Sequence, residues 1–332
     1  MIHARRPAVV LAAALTVLAT ATGCGSSSGG DTASVPAQPK PSGGISDFPK
    51  SAGHTLAELQ ARLPAGPVFA PTVSVLRAGT DRVGFGLFDV AHKQIAGAAA
   101  ALYVANADGS KMRGPYIARS ESLAVKPAFE SRTTAQDPDA AKAVYVADVP
   151  FPRKGRYAVL AVVRVDGRLL ATSGFTLSVG AKGALPPGPG DRAPRVHTPT
   201  LASVGGDAAK ITTRNPPDLP LLKTDLASVL GKRPVVLTFA TPQLCVSRVC
   251  GPVVDVAEQV ASEFSGRVTF IHNEIYNEND TSKGFRPQVR AYRLPTEPWT
   301  FVIDRHGRVS AAIEGALSVG ELKRAVAKVA GT

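Results

Sequence analysis

The stretch from Pro234 to Phe264, PVVLTFATPQLCVSRVCGPVVDVAEQVASEF, decides how the C-terminal part of this chain folds. It begins with a continuous apolar run as far as Ala240, the kind that a central strand covered on both faces requires. It ends with apolar residues at helical spacing, Val253, Val256, Ala257, Val260 and Phe264. Two thiols, Cys245 and Cys250, therefore stand between a buried strand and the start of a helix, where the helix dipole favours thiolate.

The sequence around this stretch continues to alternate between helix and strand. The pattern predicts a short helix over Thr224–Leu230 that Thr224 caps, a second buried strand over Arg267–Ile271 and a helix over Phe285–Tyr292. It then predicts a hairpin of Trp299–Asp304 with Arg308–Ile313 and a last helix capped from Ser318 by a capping box with Glu321. The helix after the thiols should start with Pro252 in its first position. We expect the strand, helix, strand unit to make a right-handed crossover.

This order, with a cysteine pair after the first central strand and Glu297-Pro298 ahead of the hairpin, resembles the thioredoxin fold over residues 221–332. It is similar to extracytoplasmic membrane-anchored thioredoxin-like proteins, in which a proline before a Thr-Phe-Leu-Ile-Asp-type strand is held cis beside the active site. The resemblance implies that Pro298 takes this place. A cis proline there would expose a backbone edge that pairs with an extended substrate segment.

The thiol motif departs from the family. Cys250-Gly251-Pro252-Val253 keeps the first three residues of Cys-Gly-Pro-Cys but has valine where the resolving thiol should be, and Cys245 lies five positions upstream of Cys250. On one helix that offset rotates the side chains by roughly 140°. Residues 246–249 must therefore form a turn if the sulfurs are to meet. Either cysteine could attack; the helix dipole gives a slight preference to Cys250, and Arg248 would favour thiolate at whichever sulfur it approaches.

Several functions are compatible with this pair. The first is a thiol-disulfide oxidoreductase, without a cofactor, that acts on protein thiols or disulfides of the cell envelope through Cys245, Cys250 and Pro298. The pair could instead be a permanent disulfide, although a bridge over so short a loop would stabilise little. A third possibility is Cu(I) binding by Cys245, Cys250 and His272, the pattern of Sco-type copper chaperones, whose thiols are usually closer in sequence. A non-catalytic envelope binding protein that uses the same scaffold is the alternative outside enzymes.

The N-terminus predicts export. Residues 1–6 form a basic n-region, Val9–Thr20 an apolar segment too short to span a bilayer comfortably, and small residues precede Cys24. This resembles a bacterial lipoprotein signal, although Ala21 stands where leucine is usual. The resemblance implies that Cys24 is lipidated and anchors the chain to the extracytoplasmic face of the cell membrane. An ordinary cleaved signal peptide or an uncleaved anchor would also export the chain.

The middle of the chain predicts an all-β domain. Short strands bounded by turn residues are expected at Arg82–Asp89, Ala100–Val104, Ala143–Asp148, Gly155–Arg164 and Arg168–Val179. The pattern favours an antiparallel sandwich and resembles the immunoglobulin-like modules of bacterial envelope proteins, without a specific motif. Spacing or partner contact is the expected role, because we find no catalytic or metal-binding pattern here, and His92 is expected to be solvated.

Charge and composition complete the predicted organisation. The net charge of +12 suits anionic lipid headgroups, but Lys and Arg are scattered without a run or an aromatic-interleaved patch, so nucleic-acid binding is not supported. Proline density predicts a semi-rigid linker between the two folded parts. The predicted segments are a lipoprotein signal peptide (1–23), a flexible tether (24–64), an immunoglobulin-like β-sandwich (65–180), a Pro/Gly-rich linker (181–220) and an α/β thioredoxin-like domain (221–332).

Overall fold

The computed structural model describes residues 40–180, 183 and 185–331. The predicted signal peptide, Cys24 and the first part of the predicted tether lie outside the described residues. Of the helices in the described part of the chain, none has both the length and the hydropathy needed to cross a bilayer.

The N-terminal part is rich in antiparallel β-structure. Its strands are β1 (Val68–Pro71), β2 (Gly79–Phe88), β3 (Ala99–Asn106), β4 (Arg113–Ser122), β5 (Ala143–Phe151), β6 (Gly155–Val165), β7 (Arg168–Ala171) and β8 (Phe175–Val179). They pair in the order β1-β2-β5-β4-β3-β6-β7, and β8 also pairs with β6. Strand β4 changes partner along its length, because residues 113–118 pair with β3 and residues 119–122 pair with β5. Side chains from β2, β3, β5, β6 and β8 share one core, so the sheet folds over on itself.

The segment from Phe48 to Leu63 belongs to this β-rich part, which corrects the tether predicted over residues 24–64. Helix α1 (Leu56–Ala61) begins with a capping box: the Thr55 hydroxyl accepts from the Glu58 amide at 3.2 Å, and the Glu58 carboxylate accepts from the Thr55 amide at 2.9 Å. Phe48 and α1 pack on the face of β3 that points away from the shared core. Strand β3 is therefore buried on both faces, which explains its unbroken apolar sequence.

The C-terminal part is built on a four-stranded sheet. Its strands are β9 (Val235–Phe239), β10 (Thr269–Asn273), β11 (Trp299–Ile303) and β12 (Val309–Glu314), in the order β10-β9-β11-β12. Strands β9 and β10 are parallel, and β11 is antiparallel to both of its neighbours. The remaining helices are α2 (Arg132–Ala135), which precedes β5, and α3 (Leu226–Val229), α4 (Cys250–Glu263), α5 (Pro287–Ala291) and α6 (Val319–Ala330). Short 3-10 turns lie at Ile45–Asp47, Pro127–Phe129, Ala202–Val204, Ala208–Lys210, Leu219–Leu222, Asn277–Asn279 and Thr281–Lys283.

Helices cover both faces of this sheet. Helices α4 and α6 bury their apolar stripes against one face. On the other face, α3 and α5 enclose an aromatic cluster that contains Phe239, Tyr292, Trp299 and Phe301. This strand order with helices on both faces is the thioredoxin-like arrangement expected for residues 221–332.

Three helix starts differ from the sequence prediction. Asp225 rather than Thr224 caps α3, since its carboxylate accepts from the Ala227 amide at 3.1 Å. Helix α4 begins at Cys250, so Pro252 is its third residue rather than its first. Ser318 caps α6 as expected, but the carboxylate of Glu321 pairs with Arg82 of the β-rich part. A tertiary contact has replaced half of the predicted capping box.

The described residues of the predicted linker, 181–220, pack on the C-terminal part. The Gly190 amide donates to the Val309 carbonyl at 2.8 Å, and the Val309 amide donates to the Asp191 carbonyl at 2.9 Å. Farther along, Thr212 and Asp218 are buried and joined by a hydrogen bond of 3.0 Å. The segment contains 3-10 turns, and polar groups along it have hydrogen-bond partners on the body beside it. It therefore differs from a spacer between separate domains.

Both parts belong to one compact unit. Arg82 on β2 pairs with Glu321 on α6 at 2.6 Å and donates to the Ala316 carbonyl at 2.7 Å. Glu314 on β12 accepts from the Ser74 hydroxyl at 2.6 Å and from the Val75 amide at 2.9 Å. These contacts join the β-rich part directly to the C-terminal part, which carries the thiols.

Candidate dithiol site

A tight turn brings the two thiols together. The Arg248 amide donates to the Cys245 carbonyl at 3.4 Å, and Arg248 has a left-handed backbone with φ of 58°. This is the turn that the five-residue offset requires. It places the Cys250 thiol where it donates a hydrogen bond to the Cys245 sulfur.

The two cysteines differ in exposure. Cys245 is 7% exposed, whereas Cys250 is completely buried as the first residue of α4. Both cysteines belong to an apolar cluster with Val249, Val254 and, from the β-rich part, Leu123, Val144 and Val146, so they differ in exposure rather than in neighbours.

These surroundings shift the two pKa values in opposite directions. Burial, followed by the Cys245 thiolate, raises the pKa of Cys250 well above its usual value. The hydrogen bond from the Cys250 thiol lowers the pKa of Cys245 to about 6, with help from the Ser247 hydroxyl at 3.2 Å and the amides of Cys250 and Val249. A helix dipole contributes about 0.3–1 kcal/mol, less than one pKa unit, whereas full burial shifts a pKa by up to about 3–5 units. The arrangement therefore favours thiolate at Cys245, not at the helix-terminal Cys250 that the sequence slightly preferred.

An acidic residue, Glu297, and the cis proline that follows it lie immediately before β11. The Glu297–Pro298 peptide bond is cis and leads directly into β11, which lies beside β9. Burial first, and then the nearby Cys245 thiolate, raise the pKa of Glu297 to about 7. The Tyr276 hydroxyl approaches the Glu297 carboxylate at 3.4 Å. Sequence reasoning noted Glu297 only for its place before the proline, and its half-buried position next to a thiol was the missing information.

His272 does not join the thiols as a metal ligand. It is fully buried, with Nδ1 2.8 Å from the Asp218 carboxylate and Nε2 3.0 Å from the Ala240 carbonyl. Burial opposes its charge, but Asp218 raises the pKa of His272 to about 9, so both ring nitrogens carry protons at neutral pH and have no free lone pair. Within the described residues, no three His, Cys, Asp or Glu side chains lie together as a metal site. The Cu(I) set of Cys245, Cys250 and His272 is therefore not assembled.

The β-rich part supplies one wall of the site. Helix α2 lies over the start of α4 so closely that a Cβ on Gly251 would be 2.8 Å from the Thr134 hydroxyl. Next to it, the Ser131 amide and hydroxyl both contact the Asp255 carboxylate at 3.1 Å. Gly251 thus has a packing role in addition to its place in the motif. This contact could not be predicted from the sequence, because a four-residue helix is too short to show a helical periodicity.

Two apolar side chains of the C-terminal part, one of them adjacent to Cys245 in sequence, are exposed. Val246, which follows Cys245, is 93% exposed. Phe285 is also partly exposed, and its ring lies 5.6 Å from that of Tyr276.

Comparison with known proteins found weak structural similarities. No family model matches the chain, and no curated protein matches it. One solved structure, a candidate thiol:disulfide interchange protein DsbE from Chlorobium tepidum, aligns with a TM-score of 0.32 at 18% identity over 44% of this chain and 99% of that one. A thioredoxin-family thiol:disulfide interchange protein from Chlorobium tepidum TLS aligns with a TM-score of 0.27 at 20% identity over 46% of this chain and 100% of that one. The thioredoxin-like assignment of the C-terminal part rests on its strand order and on the helices that cover its two faces.

Proposed function

We propose that this protein is a thiol-disulfide oxidoreductase of the cell envelope, in which Cys245 attacks and Cys250 resolves. The observation that carries the proposal is the hydrogen-bonded pair of thiols, with thiolate favoured at the sulfur that retains some exposure. A thiolate at neutral pH is the nucleophile that disulfide exchange needs.

The proposed reaction has two exchange steps and needs no cofactor. The Cys245 thiolate attacks one sulfur of a substrate disulfide, the substrate S–S bond breaks, and the other substrate sulfur leaves as a thiolate. Cys250 then loses its proton and attacks the Cys245 sulfur, which releases the second substrate thiolate. The substrate gains two electrons, and the protein ends with a Cys245–Cys250 disulfide. The reverse sequence would oxidise a dithiol.

The first step would make the second one easier. The Cys245 thiolate raises the pKa of Cys250 by its charge and by accepting the Cys250 proton in a hydrogen bond. A mixed disulfide at Cys245 has no negative charge, so both effects end when it forms. Glu297, whose pKa is about 7, is the acceptor that we propose for the released proton.

We place this activity on the extracytoplasmic face of the membrane. The support is the lipoprotein-like signal that ends at Cys24, together with the net charge of +12. The partners would be protein thiols or disulfides of the envelope. The β-rich part, which we interpret as an immunoglobulin-like module, would hold the redox part and contact these partners.

A non-catalytic binding protein on the same scaffold is the second candidate. The observation that favours it is the low exposure of Cys245, at 7%. A Cys245–Cys250 disulfide formed in the oxidising environment of the envelope would then be permanent, because no partner thiol could reach it to reduce it.

The reduction potential of the Cys245/Cys250 pair distinguishes these candidates. The full-length protein would be equilibrated with thiol buffers of known potential, and its free thiols then counted. A potential well below about −300 mV would identify a structural bridge and contradict the oxidoreductase proposal. We expect a higher value, together with reduction of a model protein disulfide by the wild-type chain and no reduction by Cys245→Ser.

A further inference from the structure

The β-rich part holds the thiol turn at Arg248. The Arg248 guanidinium pairs with the Asp137 carboxylate at 3.1 Å, and the Arg248 carbonyl accepts from the Ala141 amide at 3.1 Å. Both contacts come from the segment between α2 and β5. One residue of the thiol turn is thus held through its side chain and its backbone by a distant part of the chain.

Arg248 needs such support. Its φ of 58° is a left-handed conformation that residues other than Gly, Asn and Asp rarely adopt. Conformations of this kind persist only where the surroundings enforce them. Within the turn itself, the hydrogen bond from the Arg248 amide to Cys245 is long, at 3.4 Å.

The groups that stabilise the Cys245 thiolate flank Arg248 on both sides. Ser247, which contacts the sulfur at 3.2 Å, precedes it, and the amides of Val249 and Cys250 follow it. A change of φ at Arg248 to the ordinary negative range would rotate these amides relative to Cys245. The backbone of Arg248 therefore controls whether the hydrogen bonds to the thiolate form.

Asp137 is itself well fixed. Its Oδ1 accepts from the Asp139 amide at 3.0 Å, while its Oδ2 faces Arg248. Its own amide donates to the Thr134 carbonyl at 3.2 Å, and Thr134 is the residue that lies over Gly251. The same short segment thus contacts the turn at Arg248 and the start of α4.

We propose that Asp137 is a positioning residue of the dithiol site, which holds Arg248 in its left-handed conformation and so keeps the hydrogen-bond donors of the turn on the Cys245 sulfur. The β-rich part would then set the reactivity of a thiol that belongs to the other part. This inference deepens the proposed function and rests on it.

Asp137→Asn tests the proposal, because asparagine can keep the acceptor for the Asp139 amide but loses the charge that pairs with Arg248. Arg248→Met is the complementary variant, since methionine removes the ion pair with Asp137 and does not favour a left-handed backbone. Asp139→Asn is the matched control, which removes an exposed carboxylate from the same segment. The measurement is the pH dependence of Cys245 alkylation by iodoacetamide in the full-length protein, with the modified residue identified by mass spectrometry. Because the ion pair lies near the surface, these variants should remain folded, which their melting temperatures would verify.

The sign of the shift separates positioning from simple electrostatics. Positioning predicts that Asp137→Asn raises the pKa of Cys245. Because a half-exposed ion pair contributes little, we expect a rise of about 0.5 unit. Alkylation at a pH below the pKa should then become about threefold slower. Removal of a nearby negative charge alone would instead lower that pKa. Arg248→Met should also raise the pKa of Cys245, and the double variant should show no larger rise than Arg248→Met alone.

An unchanged or lowered pKa in Asp137→Asn, or additive effects in the double variant, would overturn the inference. The control Asp139→Asn should match the wild type. Failure of the proposed function is a separate result: the wild-type chain would then not reduce a protein disulfide, whatever the shift in the variants.

Discussion

The hydrogen bond between the two thiols should control the nucleophilicity of Cys245, and Cys250→Ala removes it. This bond is the largest of the causes that lower the pKa of Cys245 to about 6. A hydrogen bond to a charged group is worth about 1.5–3 kcal/mol, which corresponds to about 1–2 pKa units. The thiolate fraction at pH 7 should therefore fall from roughly nine-tenths to between about a half and a tenth. Alkylation at pH 7 should slow by about twofold to ninefold in proportion.

The assay is the rate of Cys245 alkylation between pH 4 and pH 10. Cys250→Ser is the matched control, because its hydroxyl can still donate to the Cys245 sulfur, and its profile should lie closer to that of the wild type. If Cys250→Ala titrates with the wild-type pKa, the hydrogen bond does not set the thiolate and the reasoning is refuted. A larger shift in Cys250→Ser than in Cys250→Ala would refute it equally.

Three further changes test other parts of the account. Gly251→Ala should lower the free energy of unfolding by about 1–3 kcal/mol in urea titrations, because the new Cβ would crowd the Thr134 hydroxyl at 2.8 Å; wild-type stability would mean that α2 does not pack there. In a Cys245→Ser background, which removes the titrating thiolate, stability should fall as pH rises from 6.5 to about 9, because the folded pKa of His272 is raised above its ordinary value and its contribution is complete only below pH 6.5. A flat profile in urea titrations across that range would contradict a charged His272. Finally, Cys24→Ser should release the protein from membranes or leave an unprocessed precursor in cell fractionation, and a processed variant that still sediments with membranes would exclude lipid anchoring through Cys24.

Local patterns in the sequence were sufficient for much of the fold. The apolar run before the thiols became β9 at Val235–Phe239, and the helical spacing after them became α4. Strand β4 (Arg113–Ser122) was not predicted, because it contains Pro115 and alternates irregularly while it changes partners. Helix α1 was assigned to the tether, since a low-complexity segment precedes it and the apolar surface that it covers on β3 is distant in sequence.

The sequence was sufficient to predict which cysteines form the candidate site, but not which of them is the nucleophile. The spacing of Cys245 and Cys250 required a turn, and one is present. The preference for Cys250 as attacker relied on the helix dipole alone. Leu123, Val144 and Val146 help to enclose Cys250, and these residues lie more than a hundred positions earlier in the chain. Burial by such distant residues cannot be seen in a local pattern, although it outweighs the dipole.

The most direct test of the central claim is the trapping of mixed disulfides on single-cysteine variants of the thiol pair. Each full-length variant would be expressed with its own signal, and adducts that dithiothreitol releases would be identified on non-reducing gels. If Cys245 attacks and Cys250 resolves, Cys250→Ser should accumulate mixed disulfides with envelope proteins, because the second step is blocked, and Cys245→Ser should accumulate none. Adducts on Cys245→Ser and none on Cys250→Ser would contradict the roles that the geometry favours.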